Sequence, residues 1–299
     1  MTAGTAPNAS AVATGLLVSD VDSTFLTQEV IELVAEHAGV RDRVEEITTA
    51  AMRGELDFSQ SLRARVALLE GLEESVLAEV RAVLVPTPGA LELVRRAKDA
   101  GWVVALVSGG FHEVIDDLAA EAGIDHVRAN RFEIVDGRFT GAVRGPIIDG
   151  TAKRRTLEEL AERHGVPAQR IVAMGDGAND REMLLAAGTG IAFRAKPALR
   201  EVADVTIDGE SLLEAWQHLE SAASRWAIRT TDGPGTRCPG RPHVTGVRGA
   251  RWCAASATPP RASPTRPRIR RGPPWPPSAS RSGPGRPRRP PSRRRRAAT

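Results

Sequence analysis

The stretch that decides the fold is LLVSDVDSTFLTQE, residues 16–29. Together with Gly15, its first part reads as a short apolar strand, GLLVS (15–19), buried on both faces. The strand runs straight into two like charges one residue apart, Asp20 and Asp22. In open α/β sheets ligands gather just past the carboxyl ends of the strands. The residues that follow each of the other apolar runs therefore decide what this pair is for.

WVVALV (102–107) is a second strand, and Ser108, Gly109 and Gly110 follow it. IVAM (171–174) is a third, followed by Gly175, Asp176, Gly177, Asn179 and Asp180. GIAF (190–193) and VTI (205–207) give two more. Helical patterns separate them: about 89–100, 112–122, 152–164, 180–187 and 209–224. In PTP (86–88), Thr87 suits an N-cap and Pro88 a first helical position. RFEIVDGRFTGAV (131–143) alternates around Asp-Gly, a hairpin signal. Between the first strand and the next helix of this alternation, residues 28–84 are helical throughout, with apolar spacing such as Val30, Ile31, Val34 and Ala35, then Phe58, Leu62, Val66 and Leu69. This block is too long for a crossover.

The expected fold is α/β: a Rossmann-like, doubly wound parallel sheet with an inserted helical cap. Residues 15–27 and 85–224 form the core and 28–84 the cap. Residues 1–14 and an Arg/Pro-rich tail, 225–299, are expected to be disordered.

Four aspartates at neighbouring strand ends repel one another strongly in a low dielectric. A divalent cation removes the conflict, and carboxylate and carbonyl oxygens with waters suit Mg²⁺. Ser108, glycine-exposed N–H groups and Lys153 add an anion cradle suited to phosphate. Lys153 is one of three lysines, with Lys98 and Lys196, against thirty-eight arginines. A compact ammonium thus stands where arginine is otherwise the rule. Carboxylate, cation and phosphate cradle together point to phosphoryl transfer onto Asp20, with Asp22 protonating the leaving group and then deprotonating water.

DVDST (20–24), SGG (108–110), the isolated Lys153 and GDGANDREML (175–184) resemble, in order, the four motifs of the haloacid dehalogenase (HAD) superfamily. QEVIELVAEHAGV (28–40), MRGELDFSQSLRARVALLEGL (52–72), VSGGF (107–111), ANRFEI (129–134), DGRFTG (136–141) and GIAFRAKP (190–197) are similar to its phosphoserine phosphatase branch, over about 15–220. The resemblance implies hydrolysis of phosphoserine to L-serine and phosphate, the last step of serine biosynthesis. Asp20 would be the nucleophile and Asp22 the general acid/base. Asp20, the backbone carbonyl of Asp22 and Asp176 would hold Mg²⁺. Ser108, Gly109 and Lys153 would bind phosphate, with Asn179 beside them and Asp180 in support. Glu29 and Arg65 would hold the substrate's ammonium and carboxylate, and Met52 and Phe58 would close the cap. The N-terminal regulatory domain of some relatives has no counterpart here, so feedback through one is not expected.

Plainer roles compete. A glutamate in a first helical turn, as Glu29 is, complements the helix dipole without any ligand. Arg65, near Arg63, suits a solvated helix face, and Met52 and Phe58 suit plain cap core. Another small phosphomonoester is the alternative substrate. The histidines, among them His37, His112, His126, His164 and His218, show no metal-ligand spacing.

Composition divides the chain. Residues 1–228 hold 23 basic and 36 acidic side chains, about −13, whereas 229–299 hold eighteen arginines and one acid, about +17. That segment also carries fifteen of the twenty-one prolines, so it cannot bury a core. Its composition matches out-of-frame translation of a GC-rich gene better than a working arm. Nucleic-acid binding is expected, if anywhere, only through it. Both cysteines, Cys238 and Cys253, lie there, which excludes a disulfide framework elsewhere. The N-terminus lacks the pattern of a signal peptide and no apolar run is long enough to span a membrane. A cytoplasmic enzyme with a small-molecule substrate is the expectation; oligomeric state is open.

Overall fold

The computed structural model describes residues 13–52 and 55–231, with side chains given through Ser224 except that of Met52. The side chain of Met52, residues 1–12 and the Arg/Pro-rich segment from 232, with Cys238 and Cys253, lie outside the described residues.

Strands β1 (Gly15–Ser19), β2 (Trp102–Phe111) and β3 (His126–Asn130) are followed by a hairpin of β4 (Phe132–Val135) and β5 (Arg138–Val143), then by β6 (Ile171–Gly175), β7 (Thr189–Phe193) and β8 (Val205–Ile207). Six of them form one sheet, ordered β3-β2-β1-β6-β7-β8, with every pairing parallel. β1 lies between β2 and β6, where the strand order reverses. That position is the switch point at which such sheets open a crevice.

Strand alternation sends successive side chains to opposite faces. Leu17, Val104, Leu106, Val172, Met174 and Ile191 enter one buried cluster. Leu16, Val18, Ala105, Val107, Ile171 and Ala173 enter the other. Each fully buried Leu or Val contributes roughly 1.5–3 kcal/mol, and this two-sided burial is why the strands read as unbroken apolar runs.

Helices α1 (Val30–His37), α2 (Arg41–Met52), α3 (Phe58–Ala67) and α4 (Val76–Ala82) occupy the segment between β1 and α5 (Ala90–Asp99). α6 (His112–Glu121) follows β2, α7 (Gly150–His164) follows the hairpin, and α8 (Arg181–Ala186) follows β6. The short α9 (Pro197–Arg200) precedes β8, and α10 (Trp216–Thr231) ends the described chain. Two linking segments join α1–α4 to the sheet side by side: Thr27 N–H donates to Val85 C=O (3.0 Å), and the Gln28 amide bonds both Val83 C=O and Val85 N–H (2.8 Å each). The hairpin grips the α3–α4 loop, with Gly71 N–H to Phe139 C=O and Phe139 N–H to Leu72 C=O, both 2.9 Å.

Two local readings change, and one strand is added. HVRAN (126–130) is a strand that no apolar run announces; it lies at the sheet edge with Arg128 outward. Thr87 does not cap α5: Gly89 takes that position at φ 77°, and the Thr87 hydroxyl donates to Thr24 C=O (2.7 Å). α10 continues to Thr231, past residue 225 where the tail was expected to begin. Nothing between Ser224 and Thr231 is a Gly or Pro that would stop it. No helix among the described residues is long and apolar enough to cross a membrane.

Candidate active site

Past β1 the chain makes a wide turn, Val21–Phe25, closed by Leu26 N–H to Val21 C=O (2.8 Å). Asp20 is buried at the strand end, its own N–H bonded to Met174 C=O on β6 (2.9 Å). Its Oδ1 accepts from Val21 N–H (2.7 Å) and pairs with Lys153 Nζ (2.7 Å). Lys153 stands in the first turn of α7, a helix capped by the Asp149 carboxylate on Ala152 N–H (2.8 Å). Its ammonium is fully buried and also donates to Asp180 Oδ1 (2.6 Å). Asp180 Oδ2 accepts from Gly177 N–H (3.1 Å), which fixes the loop after β6.

Asp22 faces the other way. Its Oδ1 accepts the N–H of Val30, the first residue of α1 (2.9 Å), so it caps that helix from the preceding turn. Its Oδ2 is 3.5 Å from Ser108 Oγ. Ser108 Oγ in turn accepts from Gly110 N–H (2.7 Å). The β2–β3 register shifts between Val107 and Phe111, which frees Ser108, Gly109 and Gly110 from the ladder. Buried Asn130 holds this loop, donating to Gly109 C=O (2.8 Å) and accepting from Ile148 N–H (2.9 Å).

Burial and crowding set the charges. Burial first, then Asp180, push the Asp20 carboxyl well above the usual range, while Lys153 opposes them. Asp22 is raised to about 7, by burial and then by Glu29, with the Val30 N–H opposing. Asp176 is raised to about 6 by burial, against Lys196. Burial alone would lower the Lys153 value, but Asp180 and Asp20 outweigh it and hold the ammonium charged.

Asp20, Asp176 and Asp180, all buried, each bring a carboxylate oxygen within 4.8 Å of the others. Oxygen-only donors of this kind fit a hard divalent cation. Among the described residues, the four crowded carboxylates, counting Asp22, meet Lys153 and Lys196, and Arg65 faces Asp22 together with Glu29 and Glu32, so the charge balance still favours one. The Asp22 carboxylate stands outside this trio and Asp180 takes the third corner.

A cavity of about 440 Å³ opens over these groups. Of the expected residues, Asp20, Asp22, Glu29, Phe58, Arg65, Gly109, Asp176 and Asn179 line it. Ser108, Lys153 and Asp180 stand behind the lining, bonded to residues in it. Glu29 Oε1 accepts from Ser23 Oγ (2.8 Å), and Ser23 holds a left-handed backbone, φ 56°. Arg65 is partly buried, which lowers its guanidinium value; Glu29, Asp22 and Glu32 are the opposing charges it meets. The Phe58 ring lies directly on Gly109: a Cβ there would stand 2.9 Å from Phe58 Cζ. Only glycine permits this approach of α3 to the β2 loop.

Sequence reasoning missed Lys196 and Asn130. Lys196 lines the cavity, 3.4 Å from Asp176 Oδ2, with its N–H on Asp176 C=O (2.9 Å). Its signal was present: a rare lysine just beyond a strand end. Asn130 acts through backbone contacts that no spacing announces.

A family model for haloacid dehalogenase-like hydrolases matches residues 17–185. The phosphoserine phosphatase of Streptomyces coelicolor is 51% identical over 226 residues, which cover 74% of this chain and 55% of that protein. That of Streptococcus thermophilus is 49% identical over 206 residues, covering 69% and 96%. The chain thus spans about half the length of the first relative and nearly all of the second. A solved phosphoserine phosphatase held as a phospho-aspartyl intermediate analogue superposes with a TM-score of 0.66 at 41% identity, covering 69% of this chain and 98% of that one.

Proposed function

We propose that this chain, which belongs to the haloacid dehalogenase-like hydrolases, is a cytoplasmic Mg²⁺-dependent phosphoserine phosphatase that forms a phospho-aspartate on Asp20. One observation carries the reading. The pair Asp20/Asp22, the Gly109–Gly110 loop and Asp176 line one cavity together with an acid, Glu29, and a base, Arg65, that suit the two charges of an amino acid.

Both fixed contacts of Asp20 fall on Oδ1, which leaves Oδ2 as the nucleophile. Oδ2 bonds to phosphorus as the bond from phosphorus to the seryl oxygen breaks. Asp22, raised to about 7, carries the proton that this alkoxide takes, and serine leaves. The ionised Asp22 then accepts a proton from water, whose oxygen attacks phosphorus. The acyl phosphate bond breaks, the Asp20 carboxylate returns and inorganic phosphate leaves. Ser108 Oγ–H and the Gly109 N–H hold phosphoryl oxygens, and Asn179 closes the same edge. Lys153 offsets the charge that Asp20 carries between turnovers. A Mg²⁺ held by Asp20 and Asp176, with the Asp22 carbonyl and Asp180 in support, supplies positive charge to the phosphoryl oxygens when bound. Arg65 offers its fork to the carboxylate and Glu29 its carboxylate to the ammonium. Phe58 on Gly109 keeps bulk water out.

The test is phosphate release from phosphoserine and from a panel of monoesters lacking the amino-acid charges. Asp20→Asn abolishes turnover on all of them. Glu29→Gln raises KM for phosphoserine by roughly 10–100-fold, the worth of a hydrogen bond to a charged group, and leaves KM for the other esters unchanged, while any change in kcat through Asp22 is shared by all of them. Equal rises in KM on every ester for Glu29→Gln would assign the site to a different phosphomonoester.

A further inference from the structure

Lys196 is the one charged side chain lining the cavity that the proposed chemistry leaves without a role. The chain delivers it there by construction. Gly175 and Ala192 pair across β6 and β7, so the turns that follow both strands lie side by side. Arg194 takes a left-handed φ of 45°, which a non-glycine residue rarely adopts, and donates its N–H to Ile207 C=O (2.8 Å). Arg200 Nε donates to Ala195 C=O (2.6 Å) while its guanidinium pairs with Asp208. Lys196 N–H donates to Asp176 C=O (2.9 Å), and its ammonium stands 3.4 Å from Asp176 Oδ2. Lys196 thus meets Asp176 through both its backbone and its charge.

The two lysines of the site are held differently. Lys153 is fully buried, at 2.7 and 2.6 Å from two carboxylates. The Lys196 side chain is 49% exposed, on a flexible stem, with a single carboxylate partner among the described residues. A half-exposed pair of this kind is weak, so the ammonium turns to water at small cost. The Asp176 side chain is only 10% exposed, and a buried carboxylate needs a partner.

We propose that Lys196 is a positioning residue that competes with the divalent cation: its ammonium holds the Asp176 carboxylate while no cation is bound, yields it when one binds, and so keeps the cation's affinity low. The inference rests on the cation site of the proposed function.

The sign of the effect follows from charge. The ammonium and a cation on Asp20 and Asp176 claim the same carboxylate, and like charges a few ångströms apart repel. Removing the ammonium removes both the competitor and the repulsion, so the cation binds more tightly. A lysine that only shaped its loop would, on removal, leave Asp176 less well aimed, and the cation would bind more weakly. The two roles predict opposite changes.

The experiment titrates Mg²⁺ into the full chain by calorimetry at pH 8, without substrate. The variants are Lys196→Met, Lys196→Gln and Lys196→Arg, with Lys98→Met, whose lysine pairs with Asp125 away from the cavity, as control. Lys196→Met and Lys196→Gln should bind Mg²⁺ roughly 3–10-fold more tightly than wild type, the scale of one half-exposed unit charge. Lys196→Arg and Lys98→Met should stay within about twofold of wild type. The gain should shrink between about 0.1 and 1 M salt, as the charge is screened. Unfolding in chelator shows that the variants fold, and Lys196→Gln, which keeps a polar tip, serves should Lys196→Met not. A fixed concentration of Mg²⁺ should raise the Tm of the neutral variants more than that of wild type. Unchanged or weaker Mg²⁺ binding in both neutral variants would overturn the inference and leave the cation site standing; no Mg²⁺ binding even in wild type would sink the site and the inference with it.

Discussion

Replacing Lys153 by Met tests the electrostatic core of the site without reference to any substrate. Met matches the stem of lysine and removes only the ammonium. That ammonium is fully buried, 2.7 Å from Asp20 Oδ1 and 2.6 Å from Asp180 Oδ1, both themselves buried. Removing one partner of a buried ion pair costs about 3–5 kcal/mol. For a domain of this size, that is a Tm loss of roughly 6–20 °C. The loss depends on pH, with a definite sign. The folded Lys153 value is raised, so its own contribution is constant below its unfolded value of 10.5 and cannot cause a change between pH 5.5 and 8. The folded Asp20 value is already above its unfolded 3.8, and Lys153 is the group that lowers it. Without Lys153 it rises further, so the folded variant binds a proton that the unfolded chain does not. Stability of the variant therefore falls as pH climbs through that range. The gap between variant and wild type is narrower at pH 5.5 than at 8, by up to about 3 kcal/mol for one proton. Thermal and urea unfolding in chelator, where no cation substitutes for the ammonium, measure it. A gap under about 1 kcal/mol, or one equal at both pH values, would refute the reasoning.

Divalent-cation affinity should fall by up to tenfold per pH unit below about 6, because Asp176 must shed a proton to ligate; calorimetry in buffers of different ionisation enthalpy reads the released protons, and a flat affinity from pH 7.5 to 5 would contradict it. Gly109→Ala should raise KM several-fold, since the new methyl meets the Phe58 ring at 2.9 Å; in the Phe58→Ala background the same change should cost much less, and additive effects would show that the contact does not seat α3. Ser23→Gly should keep or raise Tm, because glycine adopts φ 56° without strain, yet raise KM for phosphoserine and not for an aryl phosphate that lacks the amino-acid charges; equal changes on both would mean that Ser23 does not orient Glu29.

The central strands were legible because burial on both faces leaves an unbroken apolar run, as in GLLVS and IVAM. β3 was not: at the sheet edge one side is solvated, and Arg128 breaks the pattern. The acidic and glycine-rich strand ends were legible as types and in order. Which carboxylates meet was not, since Asp180 joins Asp20 and Asp176 through a turn after β6 that spacing cannot orient. Lys196 stands out as a rare lysine past GIAF, but its partner Asp176 is set only when β6 and β7 lie side by side. Likewise Asn130 is one polar residue among many until its amide bridges Gly109 and Ile148. Pairings set by tertiary contact, such as the 2.7 Å contact between the ring nitrogens of His126 on β3 and His164 on α7, carry no sequence signal at all.

The same contacts separate two kinds of precision in the site. Asp20, Lys153 and Asp180 are locked by one another inside the sheet, so their geometry does not depend on where α1–α4 sit. Asp22 is different: it accepts the N–H of Val30, the neighbour of Glu29, and lies beside Ser108. Burial and the Glu29 charge are also what lift its carboxyl to about 7. A displacement of α1 therefore removes the substrate's ammonium partner and, in the same movement, loosens the proton donor and lowers its affinity for the proton. Recognition of the amino group and protonation of the leaving oxygen are coupled through a single helix start, so a change that shifts α1 alters both the grip on the ammonium and the protonation of the acid.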